Sequence, residues 1–159
     1  MEPDSTPNTP LLPILLIEDE ASDAKLLIRK FERVGIENPI LHLNNGDAAL
    51  AYFSGIGDYT DRELYPLPVL IILDLKLPGV GGMELLPIIR RNRETKAIPI
   101  VVLTSEEEDR IVRGAYELGA NSYLVKSADD PKLLAMAEGI RDYWLKLNRS
   151  PSLYIKNAV

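Results

Sequence analysis

The chain has 159 residues, 46% of them hydrophobic and 26% charged, with a formal net charge of −6 and no cysteine. That length suits one domain with a sizeable core, and an acidic balance argues against a nucleic-acid partner, whose phosphates call for a concentrated basic face. Without cysteine there is no disulfide, thiolate zinc site, iron–sulfur ligation or thiol nucleophile, so the cytoplasm is the expected compartment. His42 is the only histidine, which removes multi-histidine metal sites.

The opening stretch MEPDSTPNTPLLP carries acids, prolines and hydroxyls where a signal peptide would need basic residues and an apolar core. Residues 1–12 are therefore expected to be a flexible leader, with a folded domain over 13–148 and a tail over 149–159. No apolar run reaches the roughly 18 residues of a membrane span, so no membrane partner is expected.

ILLIE at 14–18 is a short apolar run ending in acids, and residues 22–34 then carry Leu26, Leu27, Phe31 and Val34 at near-helical spacing, closed by Gly35. ILHL at 40–43 predicts a second strand, with Asn45 capping a helix over GDAALAYF. The following SGIGDYTDRELYPLP is longer than most connections of this kind, and is either functional or merely tolerated. Residues 69–73 form the most apolar strand, expected at the sheet centre and buried on both faces. A helix follows over 83–91, which Pro87 should distort by removing a backbone donor. IPIVVLT predicts a fourth strand, EEEDRIVRGAYELG a helix with an acidic start, and SYLVK a fifth strand. Asp130 as cap and Pro131 at the first helical position open a last helix, with Leu133, Met136, Ala137, Ile140, Trp144 and Leu147 along one side. Five βα units in succession predict a parallel sheet covered by helices on both faces.

The polar residues fall at strand ends: Glu18 and Asp19 after the first strand, Asp74 after the third, Thr104 after the fourth and Lys126 after the fifth. Burying an isolated carboxylate is costly, so Asp74 is expected at the exposed end of its strand. A parallel sheet gathers all of these residues on one edge, where ligands of open α/β sheets bind. Three carboxylates together repel and suit a hard divalent cation, most simply Mg2+. A neighbouring hydroxyl and ammonium then suit a phosphoryl group, with a carboxylate, Asp74, as the nucleophile that forms an acyl phosphate.

With LLIEDE, ILDLKLPGVGG, VVLTS and YLVK in that order, the chain resembles the receiver domain of two-component response regulators over roughly residues 13–147. The resemblance implies a flavodoxin-like fold with strand order 2-1-3-4-5. It implies that Asp74 is modified by phosphoryl transfer from a sensor histidine kinase. It further implies that Glu18, Asp19, Asp74 and the backbone carbonyl of Lys76 hold Mg2+, that Thr104 and Lys126 contact the phosphoryl group, and that Tyr123 is a switch aromatic responding to Thr104. The long loop before the third strand, the GIRDYWLKL ending and the lack of an output domain are similar to the stand-alone regulators serving phytochrome-type kinases. One departure concerns Ser127, which stands where the family commonly has a proline in a cis peptide after its lysine. Either the cis strain is retained or the loop is trans and repositions Lys126.

The expected output is a changed protein surface, and the chain is not expected to be a turnover enzyme. Two related alternatives are an intermediate phosphate carrier and a phosphorylation-independent interaction module. A nucleotide-dependent enzyme is disfavoured, since EDEASD after the first strand offers acids where a pyrophosphate would lie. His42 reads as a satisfied strand residue, and Glu106 to Asp109 as a solvated helix start. Lys76 and Glu106 lie two residues beyond Asp74 and Thr104, and could pair to shield the phosphoryl group from water. The final SPSLYIKNAV is apolar enough to seek a groove, and a homodimer in which each tail packs on its partner is expected.

Overall fold

The computed structural model describes residues 10–151. The expected leader lies almost wholly outside them, as does the tail beyond Pro151. Five strands alternate with five helices: β1 Ile14–Ile17, α1 Ala21–Arg33, β2 Ile40–Leu43, α2 Gly46–Ser54, β3 Leu70–Leu73, α3 Gly82–Arg91, β4 Ile100–Thr104, α4 Asp109–Glu117, β5 Ser122–Val125 and α5 Asp130–Gly139. The strands form one parallel sheet in the order β2-β1-β3-β4-β5.

Alternation along the strands divides the core into two layers. Leu15, Ile17, Ile71, Leu73, Ile100 and Val102 point to the side covered by α2, α3 and α4, where they meet Tyr52, Phe53, Leu85, Leu86, Ile89 and Ala115. Ile14, Leu16, Leu70, Ile72, Val101 and Leu103 point to the other side and meet Ala24, Leu27 and Phe31 of α1 and Leu133 and Ala137 of α5. The strands β1, β3 and β4 are therefore buried throughout, as expected for sheet strands covered on both faces.

Helix ends depart from the expected positions in places. Asn45 caps α2 as expected, its side chain accepting from the Ala48 amide at 2.7 Å. At α5 the cap is Asp129, which accepts from the Lys132 amide at 3.2 Å. Asp130 is instead drawn into an ion pair with the buried Lys30 of α1. Helix α4 starts only at Asp109, so Glu106 to Glu108 belong to the preceding loop. Helix α3 runs through Pro87. Helix α5 passes directly into a π-helical continuation, Ile140–Leu147, whose end is marked by the Asn148 amide donating to the Tyr143 carbonyl at 2.6 Å. Along the expected stripe Leu133, Ala137 and Ile140 are buried and Met136 and Trp144 half-buried, but Leu147 is 76% exposed.

The long connection before β3 is packed. Tyr52, Tyr59 and Tyr65 stack edge to face with centroids 5.6 and 5.0 Å apart. Arg62 lies over the Tyr52 ring and donates to the carbonyls of Tyr52 and Phe53 at the end of α2. None of the described helices is long and apolar enough to cross a membrane.

Candidate functional site

The parallel register brings the strand ends level. Ile17 pairs with Leu73, Leu73 with Val102, and Thr104 with Val125, so the residues that follow emerge along one edge. The Asp74 amide donates to the Ile17 carbonyl at 2.9 Å and the Lys126 amide to the Thr104 carbonyl at 2.8 Å. His42 on β2 donates through Nε2 to the Glu18 carbonyl at 2.7 Å, so its ring is satisfied and braces the turn that presents Glu18.

Asp74 is 4% exposed, contrary to the expectation of an exposed strand end. Its carboxylate tolerates burial because each oxygen has a donor. Oδ1 accepts from the Lys76 amide at 3.1 Å and Oδ2 from Lys126 Nζ at 2.8 Å. Burial alone would raise its pKa, but the Lys126 ammonium and the Lys76 amide outweigh that and hold it below the ordinary range. Lys126 Nζ also meets Glu18 Oε2 at 2.7 Å and Asp23 Oδ2 at 3.1 Å. Burial would lower the lysine's pKa, and its bonds to Asp74, Glu18 and Asp23 instead carry it above normal. Glu18 fares differently. Burial pushes it up to about 7, with Lys126 opposing and the charge of Asp74 adding to the rise.

Glu18, Asp19 and Asp74 each present a carboxylate oxygen, and the three oxygens lie within 4.8 Å of one another. Such a set, offering hard oxygen donors and carrying more negative charge than one ammonium neutralises, fits a divalent cation. Nearby, Thr104 Oγ1 is fully buried and makes no hydrogen bond of ordinary length and angle among the described residues, although it lies close enough to Asp74 to help hold that carboxylate's pKa down. A buried hydroxyl without an acceptor is costly unless a ligand supplies one. An anionic oxygen bound at the sheet edge would satisfy it.

On the other flank Lys76 and Glu106 form an ion pair at 3.0 Å, joining the loop after β3 to the loop after β4. Tyr123 donates its hydroxyl to the Glu106 carbonyl at 2.9 Å, and its ring packs against the α2–α4 layer. The Lys126–Ser127 peptide is trans, and the turn is shaped by Ser127 Oγ accepting from the Asp129 amide at 3.1 Å.

Two glycines permit this loop packing. A Cβ on Gly82 would lie 2.4 Å from the Asp74 carbonyl, and one on Gly46 only 1.7 Å from that of Val80. The loop carrying Lys76 is thereby seated against the start of α3 and the start of α2. Sequence reasoning did not single out Asp23. The available signal was its position in the first turn of α1, the helix end that follows the Glu18–Asp19 strand end.

A doubly wound parallel sheet with this acidic, hydroxyl and lysine edge is the architecture of a receiver-type signalling domain. The chain belongs to the response regulator receiver domain family, which matches residues 14–138. It is 43% identical over 138 residues to the probable methanogenesis regulatory protein FilR2 of Methanothrix harundinacea, covering 87% of this chain and 86% of that protein. It is 38% identical over 139 residues to the response regulator Rcp1 of Synechocystis sp., covering 87% and 92%. The Mn2+-bound crystal structure of Rcp1 superposes with a TM-score of 0.79, covering 88% of this chain and 99% of that one. The phosphorylated cyanobacterial phytochrome response regulator RcpA, 31% identical, superposes at 0.82 over 89% and 99%. Receiver domains of this family signal rather than turn over substrate, and they bind a divalent metal.

Proposed function

We propose that this chain acts as a response regulator that takes a phosphoryl group onto Asp74 from the phosphohistidine of a sensor histidine kinase of phytochrome type, in a Mg2+-dependent reaction in the cytoplasm. The observation that carries this reading is the pairing of a buried, ionised Asp74 with Lys126 at 2.8 Å, beside two further carboxylates and the unpartnered Thr104 hydroxyl. The phytochrome-type kinase is supported by the likeness to RcpA, a phytochrome response regulator.

An oxygen of Asp74 attacks phosphorus, the P–N bond to the donor imidazole breaks, and its electron pair leaves on the imidazole nitrogen. Lys126 pairs with one phosphoryl oxygen and Thr104 donates its hydroxyl to another, which compensates the charge that the transfer brings to the sheet edge. Glu18, Asp19, Asp74 and the Lys76 carbonyl would hold Mg2+, which would supply the remaining neutralisation. Movement of Thr104 toward the phosphoryl group frees space for Tyr123, which signals the change to the α4–β5 surface.

Acetyl phosphate with Mg2+ is expected to label the wild-type chain. Asp74→Asn is expected to abolish that labelling while the fold persists. Undiminished acid-stable labelling of the variant would refute the acceptor assignment, and an unlabelled wild-type chain that also ignores beryllofluoride would favour an interaction module independent of phosphate.

The same reading includes a homodimer joined by the C-terminal tail. It is supported by Leu147, 76% exposed, and Tyr143, 51% exposed, beside Trp144 at the end of the last helix. Deleting residues 151–159 is expected to lower the mass measured by sedimentation to that of a monomer. A truncated chain as dimeric as the full one would remove the tail from the interface.

A further inference from the structure

Lys126 is bonded to three carboxylates, and only two of them belong to the acidic cluster that suits a metal. Glu18 and Asp74 do; Asp23, whose Oδ2 lies 3.1 Å from Nζ, does not. An ammonium has three N–H donors, so the three bonds to Glu18, Asp74 and Asp23 use its full capacity. A phosphoryl oxygen arriving on Asp74 can gain the ammonium only by displacing or sharing one of them.

The loop that carries Lys126 has little freedom to resolve this competition by moving as a whole. Its far end is tied to the same helix that carries Asp23, through the ion pair of Asp130 with Lys30. Asp23 and Lys30 are seven residues apart on α1, two turns along one face. Between the two ties, Ser127 Oγ accepts from the Asp129 amide and closes the turn. The adjustment is thus confined to the lysine side chain, and Asp23 is the partner it can relinquish. Its side chain is 47% exposed, against 4% for Glu18 and 5% for Asp74, so water can replace the ammonium there at small cost, whereas the other two, unless a cation compensates them, would be left buried and unpaired.

We propose that Asp23 is a positioning residue that tethers Lys126 to α1 in the resting state, in competition with the phosphoryl group on Asp74. The inference rests on the phosphoacceptor reading and adds a residue that restrains it. Phosphorylation exchanges the Asp23 bond for one to a phosphoryl oxygen and so releases α1 from the β5–α5 loop at one of its two ties. The site then communicates with α1 as well as with Tyr123.

The test compares the wild-type chain, Asp23→Asn and Asp23→Ala by two measurements. In the metal-free proteins, the Lys126 ammonium is expected to give a protected NH3+ signal by NMR in the wild type, and to exchange with water faster in Asp23→Asn and faster still in Asp23→Ala, where only Glu18 and Asp74 hold it. With Mg2+ present, beryllofluoride is expected to bind Asp23→Ala about two- to fivefold more tightly than wild type, the factor appropriate to one partly exposed ion pair. Mg2+ affinity without beryllofluoride is expected to change less in Asp23→Ala than in Asp19→Ala. Equal or weaker beryllofluoride binding by Asp23→Ala, or an ammonium signal indifferent to residue 23, overturns the tether. A wild-type chain that binds no beryllofluoride instead overturns the phosphoacceptor reading itself, and the tether falls with it.

Discussion

Lys126 and Lys76 answer carboxylates from opposite flanks of Asp74, and the contrast between the two regions separates what holds the site together from what covers it. Lys126 is 21% exposed and its partners Glu18 and Asp74 are nearly inaccessible, whereas Lys76 is 60% exposed and its partner Glu106 28%. The first ion pair is removed from water. Breaking it leaves uncompensated buried charge, which costs about 3–5 kcal/mol when burial is complete. The second remains solvated, and such pairs contribute only about 0–1 kcal/mol. Similar chemistry therefore serves two purposes: the buried pair makes a charged Asp74 tolerable, and the exposed pair bridges two loops that need not stay closed.

The comparison breaks most visibly at Lys126. Lys126→Met is expected to retain Mg2+ binding but to lose about a hundredfold in beryllofluoride affinity, because the donor facing the phosphoryl charge is gone. Its metal-free stability in urea should fall by about 2–3 kcal/mol, and Mg2+ should restore part of that loss by supplying the missing positive charge. Unchanged stability would mean that Glu18 and Asp74 do not depend on the ammonium.

Gly46→Ala perturbs the other flank without touching Lys126. The new methyl would overlap the Val80 carbonyl, forcing the loop after β3 away from α2 at a cost of about 1–3 kcal/mol. Mg2+ affinity is expected to weaken with it, since that loop carries the Lys76 carbonyl. Calorimetric titration with Mg2+ checks this, and an undisturbed affinity would show that the seating of the loop on α2 does not matter to the metal.

The smallest effect on stability is expected from removing both Lys76 and Glu106. The double alanine variant should lie within about 1 kcal/mol of wild type in urea, yet lose phosphoryl from Asp74 faster, because the pair covers the approach of water. A slower or unchanged decay in a phosphate-release assay would end the shielding role and leave the pair as a loop contact only.

Much of this arrangement is legible along the chain because it follows from local periodicity and burial. Short apolar runs alternating with helical spacing define five βα units, and such units dictate a parallel sheet with its strand ends on one edge. That pattern places Glu18, Asp19, Asp74, Thr104 and Lys126 together, while the strand order is what the family resemblance implies. Helix ends were less legible. Asp130, the expected cap of α5, is engaged by Lys30 from another helix, and Asp129 one residue earlier caps the helix instead. Likewise the long tyrosine-containing connection reads only as a connection longer than most, until Arg62 and the three rings close it over α2.

The remaining decisions belong to contacts between residues far apart in the chain. Lys126 reaches Asp74 across 52 residues and Asp23 across 103, and no pattern in a linear window encodes such a pairing. Whether Asp74 ends up exposed or buried turns on that ammonium, since a carboxylate enters a low-dielectric site only with its charge compensated. Residue types and their period thus settled which groups gather at the sheet edge. The register of the strands and the packing of α1 against the β5–α5 loop decided which of those groups pair, and therefore which are held and which are free to move.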